Sequence, residues 1–295
     1  MDQLFNQTFI LWRSTPLIQF AKKTRQELVN SLALFLSDAV DMVIGDGVGE
    51  PNPTRNILLD IDFEYMKING WDSVDKTSLP IDFQIKIWYK NRQNPTKHQI
   101  YLLPATVPRN NNNNNGNDPM LDAKDYPLIL TRFNNKQMAD IVQQWLQTEF
   151  GCHITKFHTS GGIMKALVDW WTSSLIKKYD FEANETLPPQ YALELTYNLS
   201  FSEQLSSITI NVSMEELRKM QNLLQKTDLT MMELLEEHLY DTLRIKIDYC
   251  TLSCVGTPVA YISNNSQMKL LTNGGSRTQY LEFLSELCDL AGTTF

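Results

Sequence analysis

PLILTRF (Pro127–Phe133), the polar NNKQ (Asn134–Gln137) and MADIVQQWLQTEFGCHITKFHTSGGIMKALVDWW (Met138–Trp171) put much apolar mass into a short span. The stretch reads as a short strand followed by two helices joined by a turn. Met138, Ile141, Val142, Trp145 and Leu146 recur at helical spacing. Ile163, Met164, Leu167, Val168 and Trp171 do the same after the Gly161–Gly162 break. The expectation is one core hub around which the rest of the chain packs.

Working back toward the N-terminus, residues 17–44 trace an apolar stripe through Leu28, Leu32, Phe35 and Leu36, which predicts a long first helix. Pro16 suits its first turn, with Ser14 or Thr15 as the cap. The glycines of GDGVGEPNP (Gly45–Pro53) follow a helix and precede a proline turn, so they lack the strand–glycine–helix order of a phosphate cradle. Three strands follow at 56–68, 81–90 and 98–104. Their alternation predicts an antiparallel meander with one wet face, bearing Asp60, Asp62 and Glu64. The Asn-rich residues 110–118 read as a disordered surface loop.

Beyond the central stretch, TLPPQ (Thr186–Gln190) reads as a linker, and the pattern changes. Two strands at 191–201 and 207–212 precede two helices that open on capping boxes, Ser213 with Glu216 and Thr230 with Glu233. A long strand over 244–255, two shorter ones at 259–263 and 268–272, and a helix from about Arg277 to Leu290 complete the order ββ, αα, βββ, α. The fold class expected is α+β: antiparallel sheets packed with helices in two domains, 1–186 and 187–295. The second domain is expected to carry an exposed sheet edge for dimerisation.

A hydrophobic share of 42% over 295 residues is that of a globular chain. No apolar window is long enough to cross a bilayer, and MDQLFNQTFILWR lacks the basic start of a signal peptide. Four cysteines without CxxC spacing point to reduced thiols. The net charge of −8 is unevenly placed: residues 1–180 hold nineteen basic and nineteen acidic residues, and the remainder holds seven and fifteen. A self-sufficient DNA binder carries a basic excess, so contact with DNA here needs a local patch or a basic partner. Lys86, Lys90, Arg92 and Lys97, around one hairpin end, form the most concentrated basic stretch; Lys22 and Lys23 form a second candidate. Asp60, Asp62 and Glu64 have no second functional group beside them. Thr159–Gly162 before a helix reads as a cap, and His153 and His158 near Cys152 fit no metal spacing. No catalytic residue, metal site or cofactor is expected.

In their shared order, the PLIL strand, the WLQTEFGCHI and MKALVDWW helices, ITINVSMEELRKMQNLL, MELLEEHLYDTLRIKI and the closing QYLEFLSEL resemble the centromere protein L family. FILWRSTPLIQFAKK resembles that family's first helix. The resemblance implies a non-catalytic inner-kinetochore subunit, located in the nucleus at the centromere and serving chromosome segregation. It implies a heterodimer with centromere protein N through the C-terminal domain, within the constitutive centromere-associated network, and contact with centromeric nucleosomes and their DNA. The β-rich, weakly charged 244–255 and 268–272 would then supply the edge, through Ile245, Ile247, Tyr249, Thr251, Met268 and Leu270. Two other readings compete with this one. One is a homodimer closing its own sheet, and the other is a small-molecule enzyme using the Asp60, Asp62 and Glu64 face or the Thr159–Gly162 turn.

Overall fold

The computed structural model describes residues 2–40, 42–45, 55–66, 71, 78–90, 92–106, 123–178, 192–199, 205–244, 246–272 and 275–293. Residues 46–54 of the glycine loop, the Asn-rich loop, the TLPPQ stretch and Ile245 lie outside them. The chain forms two compact units. The larger comprises Phe9–Phe157 and Leu284–Phe295, the smaller Met1–Thr8 and His158–Phe283. The chain thus passes between units three times, at Thr8/Phe9, at Phe157/His158 and at Phe283/Leu284 inside the last helix.

The larger unit holds β1 (Thr8–Ser14), α1 (Arg25–Val40), β2 (Met42–Ile44), β3 (Asn56–Tyr65), β4 (Ile81–Trp88), β5 (Thr96–Leu103), β6 (Leu128–Arg132), α2 (Lys136–Phe150) and β7 (Ile154–Lys156). β3, β4, β5, β6 and β1 run antiparallel side by side; β7 joins β1, and β2 joins β3 in parallel.

The first helix is shorter than the stripe predicted. FILWRS is strand, and Leu17 exchanges backbone hydrogen bonds with Lys124. Gln19 at φ 60° and a 3-10 turn over Phe20–Lys22 then use up the residues before Thr24. There the side-chain hydroxyl accepts from Glu27 N while the Glu27 carboxylate accepts from Thr24 N at 2.7 Å, a capping box that starts α1 at Arg25. In β3 the register shifts between Leu58 and Asp60, so Leu58 turns into the core where strict alternation back from Phe63 and Ile61 places Leu59.

α1 and α2 cover one face of this sheet. Leu28, Leu32 and Leu36 meet Ile61, Phe63, Phe83 and Ile85, and α2 adds Met138, Val142, Trp145 and Leu146. Each such side chain contributes about 1.5–3 kcal/mol by leaving water. Phe63, Phe83, Trp145, Phe150 and Phe20 form a chain of ring contacts with centroids 4.5–5.8 Å apart. Gly151, at φ 58°, closes α2 in the left-handed conformation that glycine adopts without strain. The face expected to be wet is exposed at Asp60, Glu64, Lys86 and Lys97 and half-buried at Asp62. Farther along it Phe9, Leu11, Tyr101 and Leu130 are buried.

The smaller unit holds α3 (Gly161–Lys178), β8 (Leu193–Asn198), β9 (Ser207–Val212), α4 (Met214–Leu224), α5 (Met231–Leu243), β10 (Thr251–Gly256), β11 (Ala260–Ser263), β12 (Gln267–Leu270) and the first turns of α6 (Arg277–Thr293). Its strands are antiparallel in the order β12, β11, β10, β8, β9. Both expected capping boxes form, at Ser213 and at Thr230. The Asp169 carboxylate of α3 accepts from Met232 N at 2.9 Å and so caps α5 a second time. The long strand expected over 244–255 is broken: Arg244 ends α5 at φ 57°, Ile247–Tyr249 make a 3-10 turn, and β10 starts only at Thr251.

The expected hub serves two cores. α2 fills the larger unit, while Met164, Leu167, Val168 and Trp171 of α3 are buried in the smaller one. The α+β class with antiparallel sheets packed by helices is the observed one.

Candidate functional site

The basic residues separate into two groups. Lys86 and Lys97 stand side by side on β4 and β5, both exposed, with Asp60 next to Lys86 on β3. Lys90 and Arg92, at the end of the same hairpin, line a hollow of about 370 Å³ with Tyr89, Asn56, Asn134, Asn135 and Gln137. No carboxylate lines it among the described residues. Asn135 caps α2, its side chain accepting from Gln137 N at 3.0 Å, so the positive end of the helix dipole adds to the two cations.

Arg92 is held in place: its guanidinium lies 5.4 Å from the Tyr89 ring centre and donates to Thr96 Oγ1 at 3.2 Å. Behind that wall, His98 Nε2 lies 2.9 Å from the Tyr89 hydroxyl, and Nδ1 has no partner among the described residues. Burial first, and then the Arg92 charge, lower the His98 pKa to about 4, so the ring is neutral. Burial likewise pushes Tyr89 up to about 12.

Lys23 lies elsewhere. It pairs with Glu149 near the C-terminal end of α2, roughly 18 Å along that helix from Gln137 at 1.5 Å per residue. The same Glu149 accepts from Ser31 Oγ at 2.9 Å, and Ser31 Oγ accepts from Trp145 Nε1 at 3.0 Å. Lys22, exposed, ends the 3-10 turn beside it. The hollow therefore brings together Lys90 and Arg92; Lys86 and Lys97 pair on the sheet face opposite the one that α1 and α2 cover, and Lys22 and Lys23 lie at the other end of α2.

The residues expected at a sheet edge are placed differently from one another. β10 is paired on both sides, by β8 and β11, which makes Thr251 part of an interior strand. Met268 and Leu270 on β12 are buried, and Leu270 O accepts from Asn6 N at 2.7 Å. Ile247 is buried in the 3-10 turn, whereas Tyr249 is 69% exposed.

Among the described residues, the open edge of the smaller unit is β9. Its sequence, SITINV, has neither charge nor proline, and its inward side chains lose cover along the strand: Val212 is buried, Ile210 and Ile208 only partly. The strands at the ends of the larger unit, β2 and β7, are three residues each, too short to template much pairing. β9 has six residues and no such protection.

A model of the centromere protein L family matches residues 3–292. The chain belongs to that family. No curated protein matches it individually. The centromere protein L family is one of structural kinetochore subunits, generally non-catalytic, that belong to the centromere-associated complex at the nuclear centromere and serve chromosome segregation.

The remaining polar candidates can be placed beside that assignment. Asp62 is ion-paired to Arg25, and Glu64 stands opposite a nearly buried Asp82. Burial raises the Asp82 pKa, and Glu64 and Asp62 add to the shift; Gln84, donating at 2.7 Å, and Lys97 oppose it. Thr159 is buried and donates to Ser263 O, while His153 and His158 are exposed. All four cysteines are free thiols, with Cys152 and Cys288 buried.

The residues missed from sequence are Ile208 and Ile210 on the edge, and Asn56, Asn134, Asn135 and Gln137 in the basic hollow. SITINV, an uncharged β-branched run ahead of a capping box, was the available signal for the edge. The NN pair before α2 was the signal for the hollow.

Proposed function

We propose that this chain is a non-catalytic inner-kinetochore subunit that heterodimerises with the centromere protein N homologue by accepting a strand along β9. In this reading the pair sits in the constitutive centromere-associated network and contacts the centromeric nucleosome. Lys86, Lys90, Arg92 and Lys97 supply this chain's share of the DNA contact. The observation that carries the reading is β9 itself, a six-residue, uncharged edge whose inward face is only partly covered. A partner strand satisfies its open backbone groups and covers Ile208 and Ile210 at once. Tyr249, an aromatic side chain left 69% exposed, is a further candidate contact. A chain with an overall charge of −8 holds DNA only through a local patch aided by its partner's charge.

Light scattering on the full chain, alone and mixed with the centromere protein N homologue, tests this. A one-to-one complex is expected. A β9 that pairs instead with β9 of a second copy gives a homodimer that the homologue does not displace, and that result overturns the reading.

A further inference from the structure

The hollow between the β4–β5 hairpin end and the start of α2 holds more donors than its two cations supply. Asn56 Oδ1 accepts from Lys90 N at 3.1 Å, and Asn135 Oδ1 accepts from Gln137 N at 3.0 Å. In each side chain a backbone N–H engages the amide oxygen and so fixes which end of the amide is left over. Both NH2 groups remain as donors, with no acceptor among the described residues.

Arg92 is fixed from several sides. Its N–H donates to Tyr89 O at 3.1 Å, and its carbonyl accepts from Trp88 Nε1 at 2.8 Å. One guanidinium nitrogen is held by the hydroxyl of the buried Thr96, and the ring of Tyr89 carries the group. Neither Arg92 nor Lys90 meets a carboxylate among the described residues. The cations are thus in place before any ligand arrives, and their charge is unspent.

Charge and donor count separate the anions that could enter. A phosphate of the DNA backbone carries one negative charge and is esterified on both sides, which leaves two oxygens to accept. A phosphorylated side chain carries about −1.5 to −2 and offers three strong acceptor oxygens. Two unpaired cations, two amides fixed donor-outward and the positive end of α2 match the second anion. The volume of about 370 Å³ is in the range of sites that enclose a ligand group.

We propose that this hollow binds the phosphate monoester of a phosphorylated serine or threonine in a segment of a partner protein. Lys90 and Arg92 neutralise its charge, and Asn56 and Asn135 donate to its oxygens. Occupancy then withholds Lys90 and Arg92 from DNA, a consequence that rests on the DNA contact proposed above.

The test is fluorescence anisotropy on the full chain with a fluorescein-labelled glycine–alanine decapeptide carrying one central phosphoserine. Two counterparts carry serine, or phosphoserine methylated to the diester. The phosphoserine peptide is expected to bind at least fivefold more tightly than the diester, and the serine peptide not to bind. Asn56→Asp keeps the acceptor for Lys90 N but replaces the donor with a negative oxygen, and is expected to weaken binding at least tenfold. Lys90→Gln, at an exposed position, is expected to weaken it severalfold. Lys226→Gln removes an exposed cation outside the hollow and is expected to change affinity less than twofold.

No binding of the phosphoserine peptide to the wild type overturns the proposal, as do equal losses in Lys90→Gln and Lys226→Gln. Equal affinity for the diester assigns the hollow to nucleic-acid phosphate alone and also overturns it. The DNA contact fails separately, if replacing both Lys90 and Arg92 with Gln leaves the salt dependence of DNA binding by the heterodimer unchanged while the wild type still binds the phosphoserine peptide.

Discussion

Leu195 of β8 and Ile210 of β9 stand opposite one another in the outermost ladder of the smaller unit, and only Leu195 is fully covered. The next pair on that face, Tyr197 and Ile208, repeats the asymmetry. Ile208→Lys puts a charge on the half-open face at little cost to the isolated chain, because its long stem can carry the ammonium to water. In the heterodimer the same ammonium is desolvated. We expect an unchanged urea midpoint for the chain alone and at least a tenfold loss of affinity for the centromere protein N homologue by titration calorimetry. Unchanged affinity would remove β9 from the interface.

Lys90 and Arg92 share the carboxylate-free hollow at the start of α2. Replacing both with Gln is expected to reduce the slope of log affinity against log salt by about 2, close to one for each phosphate left without its cation. The measurement is DNA binding by the heterodimer at several salt concentrations. Lys23, already paired with Glu149, gives the comparison: Lys23→Gln is expected to leave the slope unchanged.

Glu149 joins Lys23, Ser31 and, through Ser31, Trp145. Glu149→Ala leaves a partly buried ammonium and a serine hydroxyl without their acceptor, at a cost of about 1–3 kcal/mol. Glu149→Gln keeps the acceptor for Ser31 and is expected to lose less. Urea unfolding of both variants gives the order.

His98 gives stability a pH dependence whose sign is fixed. Its folded pKa, about 4, lies below the unfolded value near 6.5, so the unfolded chain binds the extra proton between those values. Its contribution is complete above pH 6.5 and is lost as pH falls toward 4. Between about pH 7 and about pH 5 the loss is about 2 kcal/mol. His98→Phe is expected to remove that difference in urea unfolding at the two pH values. The raised carboxyls Asp82 and Asp169 act with the opposite sign but are common to both proteins.

Much of this was legible in the sequence because it is local. The two capping boxes, the β3–β4–β5 meander and the ββ, αα, βββ, α order follow from spacings of two to four residues, and all formed. What sequence could not show depends on distant chain. Leu17 looked helical until Lys124, more than a hundred residues away, claimed its backbone. Leu58 and Leu59 exchange sides because of a bulge that alternation cannot anticipate. The edge is the clearest case: 244–255 and SITINV are comparably apolar, and only the strand order shows that β10 lies inside the sheet and β9 outside it. The basic hairpin was visible as a cluster of charges, but the amides of Asn134, Asn135 and Gln137 come to it through the packing of α2.

Hydrogen–deuterium exchange on the full chain, free and bound to the centromere protein N homologue, tests the central claim most directly. The account predicts that amides of residues 207–212 exchange rapidly in the free chain and become the most strongly protected segment in the complex. A complex that forms while 207–212 exchange at the free rate, with protection arising elsewhere, would contradict it.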